Sequence, residues 1–308
     1  MTQFGVLLPN LGGFPGPDAV EAFGVRLEEL GYDYILAGDH VALPVVPESR
    51  YVGSSTGVAE FTSETDIYES LTVISYLAGI TRHVRLGVAV QVIPYRNPVL
   101  NAKMISTLDA LSGGRIVFGV GVGWCREEFE ALGADFEHRG AVVDEQIAIF
   151  KQACSGEEIS FDGRYYQVSG TKLLPRPAQK PHPPIWVGGT SAPAKRRAAL
   201  LGDGWYPIRM TPDEVAEGLK EILELRAGNG LPTEGYAVTI GIPVHFGDDP
   251  VPPAFTAAIK GSPDEMAEQL GAYSAAGVGL FVIRSSSNEY SRVCEDVERF
   301  AETVMVRA

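Results

Sequence analysis

The sequence predicts an α/β protein built as a (β/α)8 barrel. Three observations predict it. Eight apolar strand candidates alternate with helical patterns along the whole chain. No shift in composition and no Pro/Ser-rich linker divides residues 1–308, which therefore read as a single barrel domain. The last strand–helix unit finishes almost at residue 308, as a ring closing on its first strand would. Strand counting alone also fits an open, doubly wound Rossmann-like sheet with an extra domain, which is the competing fold.

The elements follow in order. FGVLLP (4–9) is an apolar run stopped by Pro9, Asn10 and a Gly-rich stretch, and reads as a buried strand. AVEAFGVRLEEL (19–30) has apolar residues at helical spacing, and Gly31 closes it as a C-terminal cap would. YILA (34–37) is the second strand, so the first unit is strand–helix–strand and predicts parallel pairing. Residues 67–79 read as a helix, 85–93 as a strand, 97–111 as a helix and 115–123 as a strand. Two helical stretches follow near 125–133 and 138–153. Further on, strands at 184–189, 204–208, 237–246 and 279–284 alternate with helices at 192–200, 211–227, 263–276 and 288–304.

Two insertions break this rhythm, near 38–66 and 155–183. The first is rich in Gly, Ser, Pro and Glu. The second holds a hairpin pattern (ISFDG, then RYYQVSG) and a proline-rich return. Loops longer than about 12–15 residues are usually functional or disordered. Both insertions are expected at the carboxyl end of the strands, where a barrel builds its active site.

Composition narrows the function. The chain is 45% hydrophobic and carries a formal net charge of -14, which supports a large core and argues against nucleic-acid and anionic-membrane partners. Its three cysteines, Cys125, Cys154 and Cys294, form no CxxC pattern, and the histidines have no metal-ligand spacing. No metal is expected. The start MTQFGVLLPN has no basic n-region, and no run of 18 apolar residues occurs, so a cytoplasmic protein is expected.

Asp39 and His40 directly follow the second strand, where a barrel presents reacting groups, and histidine is the natural proton-transfer residue near neutral pH. Asp39 has two readings: orienting the imidazole, or accepting backbone N–H groups. Gly119, Gly121 and Gly123 alternate at the end of the fourth strand, either to let a flat ring approach the backbone or to relieve crowding inside the barrel. Gly188, Gly189, Thr190 and Ser191 end a strand where a helix begins, a natural anion site. Lys195, Arg196 and Arg197 lie just beyond, to assist a polyanion or to pair with surface acids.

The stretches LAGDHV, VIPYRNPVLNAKMISTLDALSGGRIVFGVGVGW and PPIWVGGTSAPAKRRAALLGDGWYP, in that order, resemble the bacterial luciferase-like monooxygenase superfamily. More narrowly, they resemble its coenzyme F420-dependent oxidoreductase branch. The resemblance covers nearly all of 1–304 and implies the same barrel fold, with a deazaflavin or flavin at the carboxyl end. It implies Asp39 and His40 as catalytic and ring-facing residues. Ala89, Val90 and Gln91 fall at the third-strand end, where many members have a bulge with a non-prolyl cis peptide behind the ring. Gly121, Gly123 and Trp124 fall near the cofactor, and Gly188, Gly189 and Thr190 on its phosphate. Sugar-phosphate dehydrogenases of the family carry a glutamate where this chain has Trp124, which argues against glucose-6-phosphate oxidation.

The leading expectation is an F420-dependent oxidoreductase that passes a hydride between deazaflavin and a small organic substrate, with the basic residues Lys172, Arg176, Lys180 and 195–197 forming a channel for the anionic tail. The alternative is an FMN-dependent monooxygenase using reduced flavin and oxygen. A third reading is a flavin-binding barrel without turnover. Tyr51, Phe61, Tyr95 and Trp124 are candidates to wall a substrate pocket or to pack a lid. The resemblance also implies a homodimer.

Overall fold

The computed structural model describes residues 2–52, 54–59, 61–247, 249–255 and 257–308. In chain order the elements are β1 (Gln3–Leu7), α1 (Pro17–Glu29), β2 (Tyr34–Ala37), α2 (Ser70–Ile80), β3 (Arg85–Val92), α3 (Pro98–Leu111), β4 (Ile116–Gly121), α4 (Arg126–Ala131) and α5 (Arg139–Ser155). There follow β5 (Glu158–Asp162), β6 (Gln167–Lys172), β7 (Ile185–Gly188), α6 (Ala192–Leu201), β8 (Gly204–Tyr206), α7 (Pro212–Gly228) and β9 (Ala237–His245). The chain ends with β10 (Ile259–Lys260), α8 (Pro263–Ala275), β11 (Leu280–Ser285) and α9 (Tyr290–Phe300).

Eight of these strands pair in parallel in the order β1–β2–β3–β4–β7–β8–β9–β11, and β11 returns to β1. The sheet is thus a closed (β/α)8 barrel, and closure removes the unpaired edges that an open sheet would have. The two-residue β10 lies outside this ring, beside β9.

Strand alternation divides the apolar residues into two clusters. Tyr34, Leu36, Val117, Trp186, Tyr206, Leu280 and Val282 fill the barrel. Val6, Ile35, Phe118, Ile185 and Phe281 face outward and join helix residues such as Leu27, Ile74, Ile105 and Phe150 in the main core. Both strand faces are therefore buried, which is why the strands read as continuous apolar runs.

Helix starts follow local chemistry. Asn97 accepts from Val99 and Leu100 N–H, so α3 begins at Pro98. Thr211 with Glu214, and Ser262 with Glu265, form capping boxes on α7 and α8. Glu289 accepts from Ser291 and Arg292 N–H, which starts α9 at Tyr290 rather than at 288. The helix expected near 125–133 is only the short α4.

The two insertions lie at opposite ends of the barrel. Residues 38–66 leave the carboxyl end of β2. The 155–183 segment departs from its expected place: it joins the end of α5 to the start of β7, at the amino end of the strands. Its hairpin, β5 with β6, is antiparallel and its turn is held against α5, where Glu145 accepts from the N–H groups of Arg164, Tyr165 and Tyr166. Among the described residues no helix is long and apolar enough to cross a membrane.

Candidate functional site

Two buried neighbours at the end of β2 have different environments. The Asp39 carboxylate is filled by four donors. Arg96 Nη2 and Ser70 Oγ donate to Oδ1 at 2.8 and 2.6 Å. Arg96 Nη1 and Val92 N–H donate to Oδ2 at 2.9 and 2.8 Å. Arg96 also reaches Glu69 at 2.7 Å, and Glu69 caps α2 through Thr72 N–H. Burial opposes the Arg96 charge, but Asp39 and Glu69 outweigh it and hold the guanidinium protonated. Asp39 therefore fastens the end of β2 to the end of β3 and the start of α2. Of its two readings, the structure shows acceptance of a backbone N–H and no contact that orients His40.

The carboxylate that meets His40 is Glu128, on α4. Its Oε2 lies 2.8 Å from His40 Nδ1 and accepts the Tyr95 hydroxyl at 3.0 Å. Its Oε1 accepts from Val41 N–H and, at 3.0 Å, from Ala42 N–H. Glu128 is fully buried. Burial pushes its pKa up, but the His40 hydrogen bond and charge and the two backbone donors bring it below the usual carboxylate range. Tyr95 is pushed far above the usual phenol range, by burial first and by the Glu128 charge second. The other side of the imidazole is aromatic: Phe61 lies 4.7 Å away between ring centroids, and Trp124 stands edge-on at 5.6 Å.

The described residues of the 38–66 loop cross the barrel mouth as a lid. Tyr51 packs on Phe61 and Trp124, with centroids 5.5 and 5.0 Å away. The lid is tied down at α4, where Glu127 Oε1 accepts from Glu48 and Ser49 N–H at 2.5 and 2.9 Å, and Oε2 accepts the Ser49 hydroxyl at 2.6 Å. On the far rim, Arg209 donates to Val52 O at 3.4 Å and the Ser55 hydroxyl to Pro253 O. Beneath it lies a cavity of about 50 Å³ bordered by Leu7, Tyr51, Phe61 and Arg284, room for a few waters or a small substrate group.

The Glu127 anchor sets a pH dependence. Desolvation raises its pKa, but the Ser49 hydroxyl and the backbone donors bring it down to about 2. A depressed carboxylate contributes its stabilisation above the ordinary carboxylate range and loses it as pH falls through the folded value. Hydrogen-exchange protection of the Ser49 amide is therefore expected to hold at pH 6 and to fade as the pH drops towards 2. Glu127→Ala should abolish it at pH 6. Unchanged protection in that variant would show that other contacts hold the lid.

The third-strand end has the bulge that the resemblance implied, with a register shift between Val88 and Gln91 and a cis Ala89–Val90 peptide. Val90 packs with the barrel-filling cluster, and the glycines make room for it. A Cβ on Gly121 would come within 2.5 Å of Val90 Cγ2, and one on Gly188 within 2.9 Å of both Val90 methyls. On Gly119 it would meet Val88 O at 2.0 Å. The alternating glycines thus relieve crowding around the bulge. Gly123, at φ +78°, turns the chain so that Trp124 reaches His40. The Gln91 side chain accepts from Asn101 Nδ2 on α3, behind the barrel wall, at 3.0 Å.

At the carboxyl end of β7, Gly189 has φ +111°, donates to Tyr206 O at 3.3 Å and accepts from Trp205 Nε1 at 2.7 Å. Thr190 is exposed, and Ser191 caps α6 by accepting from Ala194 N–H. The exposed loop at a helix start fits a phosphate group. The basic channel does not assemble around it. Lys195 pairs with Glu221, and Arg197 with Asp144. Lys172 and Arg176 pair with Glu157, and Lys180 donates to Pro177 O, all in the segment that leads to the amino end of β7. Of the residues expected in the channel, the exposed Arg196 remains beside the loop. Among the described residues no group of three or more His, Cys, Asp or Glu is placed to hold a metal ion.

The model of the luciferase-like monooxygenase family matches residues 2–251. The chain belongs to this family. An uncharacterized member from Mycobacterium tuberculosis is 33% identical over 215 residues, 69% of this chain and 74% of that one. The FMNH2-dependent dimethylsulfone monooxygenase of Pseudomonas putida is 33% identical over 179 residues, 57% of this chain and 47% of that one. An F420-dependent secondary alcohol dehydrogenase, solved with an F420–acetone adduct, has the same fold: TM-score 0.81, 16% identity, 100% of this chain and 99% of that one. Luciferase-like family members are oxidoreductases and monooxygenases that depend on F420 or a flavin, and this chain is an enzyme of that kind.

Sequence reasoning missed Glu128, Glu127, Arg96 and Glu69, and saw Tyr95 only as a pocket aromatic. Within REEFEAL nothing sets Glu128 apart from its neighbouring acids.

Proposed function

We propose that the chain is an F420-dependent oxidoreductase that transfers a hydride between deazaflavin and a small organic substrate. The observation that carries this reading is the buried His40 imidazole at the end of β2, held on one side by a carboxylate and walled by Phe61 and Trp124 under the lid. Gly188, Gly189 and Thr190 would hold the cofactor phosphate, and Ala89 and Val90 would back its ring, with Gly121, Gly123 and Trp124 close by. When bound, the deazaflavin supplies a carbon that takes up or gives a hydride. When a carbon bearing a hydroxyl gives up hydride, the hydroxyl proton must also leave. His40 takes that proton in oxidation and returns it in reduction. The lid aromatics keep water from the reacting carbon.

One structural observation favours the second reading, an FMN-dependent monooxygenase. The phosphate loop is present without the basic channel that a longer anionic tail would use, and FMN carries a single phosphate. Calorimetric titration with both cofactors at moderate salt decides between them. F420 is expected to bind more tightly. Equal or tighter binding of FMN would transfer the proposal to the second reading.

A further inference from the structure

We propose that Glu128 is a positioning residue: it holds His40 in the tautomer with the proton on Nδ1, and so keeps Nε2 free of a proton and ready to accept one. The inference rests on the reading of His40 as the proton handler and assigns the groups that prepare it.

The argument is one of donors and acceptors. An ionised carboxylate accepts about four hydrogen bonds and donates none. Glu128 receives four: from Val41 N–H and Ala42 N–H on Oε1, and from Tyr95 O–H and His40 Nδ1 on Oε2. The two backbone N–H groups can only donate, which fixes Oε1 as an acceptor. With the carboxylate ionised, Oε2 offers no proton, so the 2.8 Å contact requires the proton to be on His40 Nδ1. In neutral imidazole the other nitrogen then carries a lone pair. The same carboxylate stabilises the imidazolium formed once Nε2 has taken a proton. Tyr95 stays a hydroxyl donor, because burial beside Glu128 disfavours its ionisation.

The network makes an unusual demand on Glu128→Gln. The amide oxygen must stay on Val41 and Ala42 N–H, since an NH2 group there would face two donors. The NH2 group then points at His40 Nδ1 and the Tyr95 oxygen. Both become acceptors, and the imidazole proton moves to Nε2. An isosteric substitution that removes one charge thus inverts the tautomer and blocks the nitrogen that reacts.

Nitrogen NMR of protein labelled with 15N-histidine, at pH 8.5 and without cofactor or substrate, reads this directly. The chain has five histidines, and the His40 signals are those lost in His40→Ala. In the parent, Nδ1 is expected to be protonated and Nε2 bare. In Glu128→Gln the assignment is expected to reverse. Hydride transfer in this variant should fall to within about tenfold of the His40→Ala rate, with cofactor affinity unchanged. A parent protein with its proton on Nε2, or with both nitrogens protonated at pH 8.5, overturns the proposal. So does a Glu128→Gln variant that keeps the parent tautomer. The parent measurement needs no variant to fold beyond the one used for assignment. Neither tautomer measurement needs turnover, so failure to find F420 chemistry leaves this result standing by itself.

Discussion

His40→Ala should lower the rate of hydride transfer by roughly 10²–10⁴, the span usual for a general acid–base group. Cofactor affinity should stay within a few fold, because the loop proposed to hold the phosphate, Gly188–Thr190, lies at the end of another strand, β7. The fold should also survive. Truncation removes one donor from Glu128, which retains Tyr95 and the two backbone N–H groups. Stopped-flow spectra of cofactor oxidation, with a substrate in hand, separate binding from transfer. Parent-rate transfer in the alanine variant would reduce His40 to a pocket wall. Loss of cofactor instead would move its role to binding.

Asp39→Asn should cost about 3 kcal/mol of folding stability, the lower end of what breaking a buried ion pair costs. An amide of the same shape cannot serve this site. Each Asp39 oxygen faces a guanidinium N–H, and each also faces Ser70 O–H or Val92 N–H. Whichever way the amide turns, its NH2 meets donors. Arg96 keeps Glu69, which limits the loss. Guanidinium unfolding followed by circular dichroism should show a lower midpoint with an unchanged slope. A loss below about 1 kcal/mol would mean that the pair does not fasten β2 to β3. A folded variant with parent stability and a much lower transfer rate would return Asp39 to catalysis.

The barrel was legible because its strands are buried on both faces. Such strands read as apolar runs, and the intervening helices supply the longer period. YILA, for instance, is β2 residue for residue. His40 was legible by position, since it directly follows a strand whose carboxyl end builds the site. The partners of these residues were not legible, because they arrive from distant parts of the chain. Glu128 lies 88 residues from His40, and Arg96 lies 57 from Asp39. In REEFEAL, Glu128 looks like one more surface acid, and the six residues of α4 are too few to show a buried face. The basic triplet misled for a related reason. Two of its three charges are spent on Glu221 and Asp144, pairings that only the packing of α6 against its neighbours reveals. The alternating glycines are ambiguous in the sequence because the atoms that would crowd Gly119 and Gly121, Val88 O and Val90 Cγ2, belong to another strand, β3.

The loops of a (β/α)8 barrel are commonly regarded as interchangeable parts on a constant frame. The 38–66 loop does not suit that description. Its third residue is His40, the histidine proposed for proton transfer, the next two amides rest on Glu128, and its middle rests on Glu127 and on the rims beyond β8 and β9. A graft of this loop alone into a related barrel would arrive without the carboxylates that shape it. The smallest transplantable unit is the loop together with Tyr95 and α4. Divergence towards new substrates would accordingly change these segments in concert, so that the lid and the histidine proposed to accept the proton are inherited as one module.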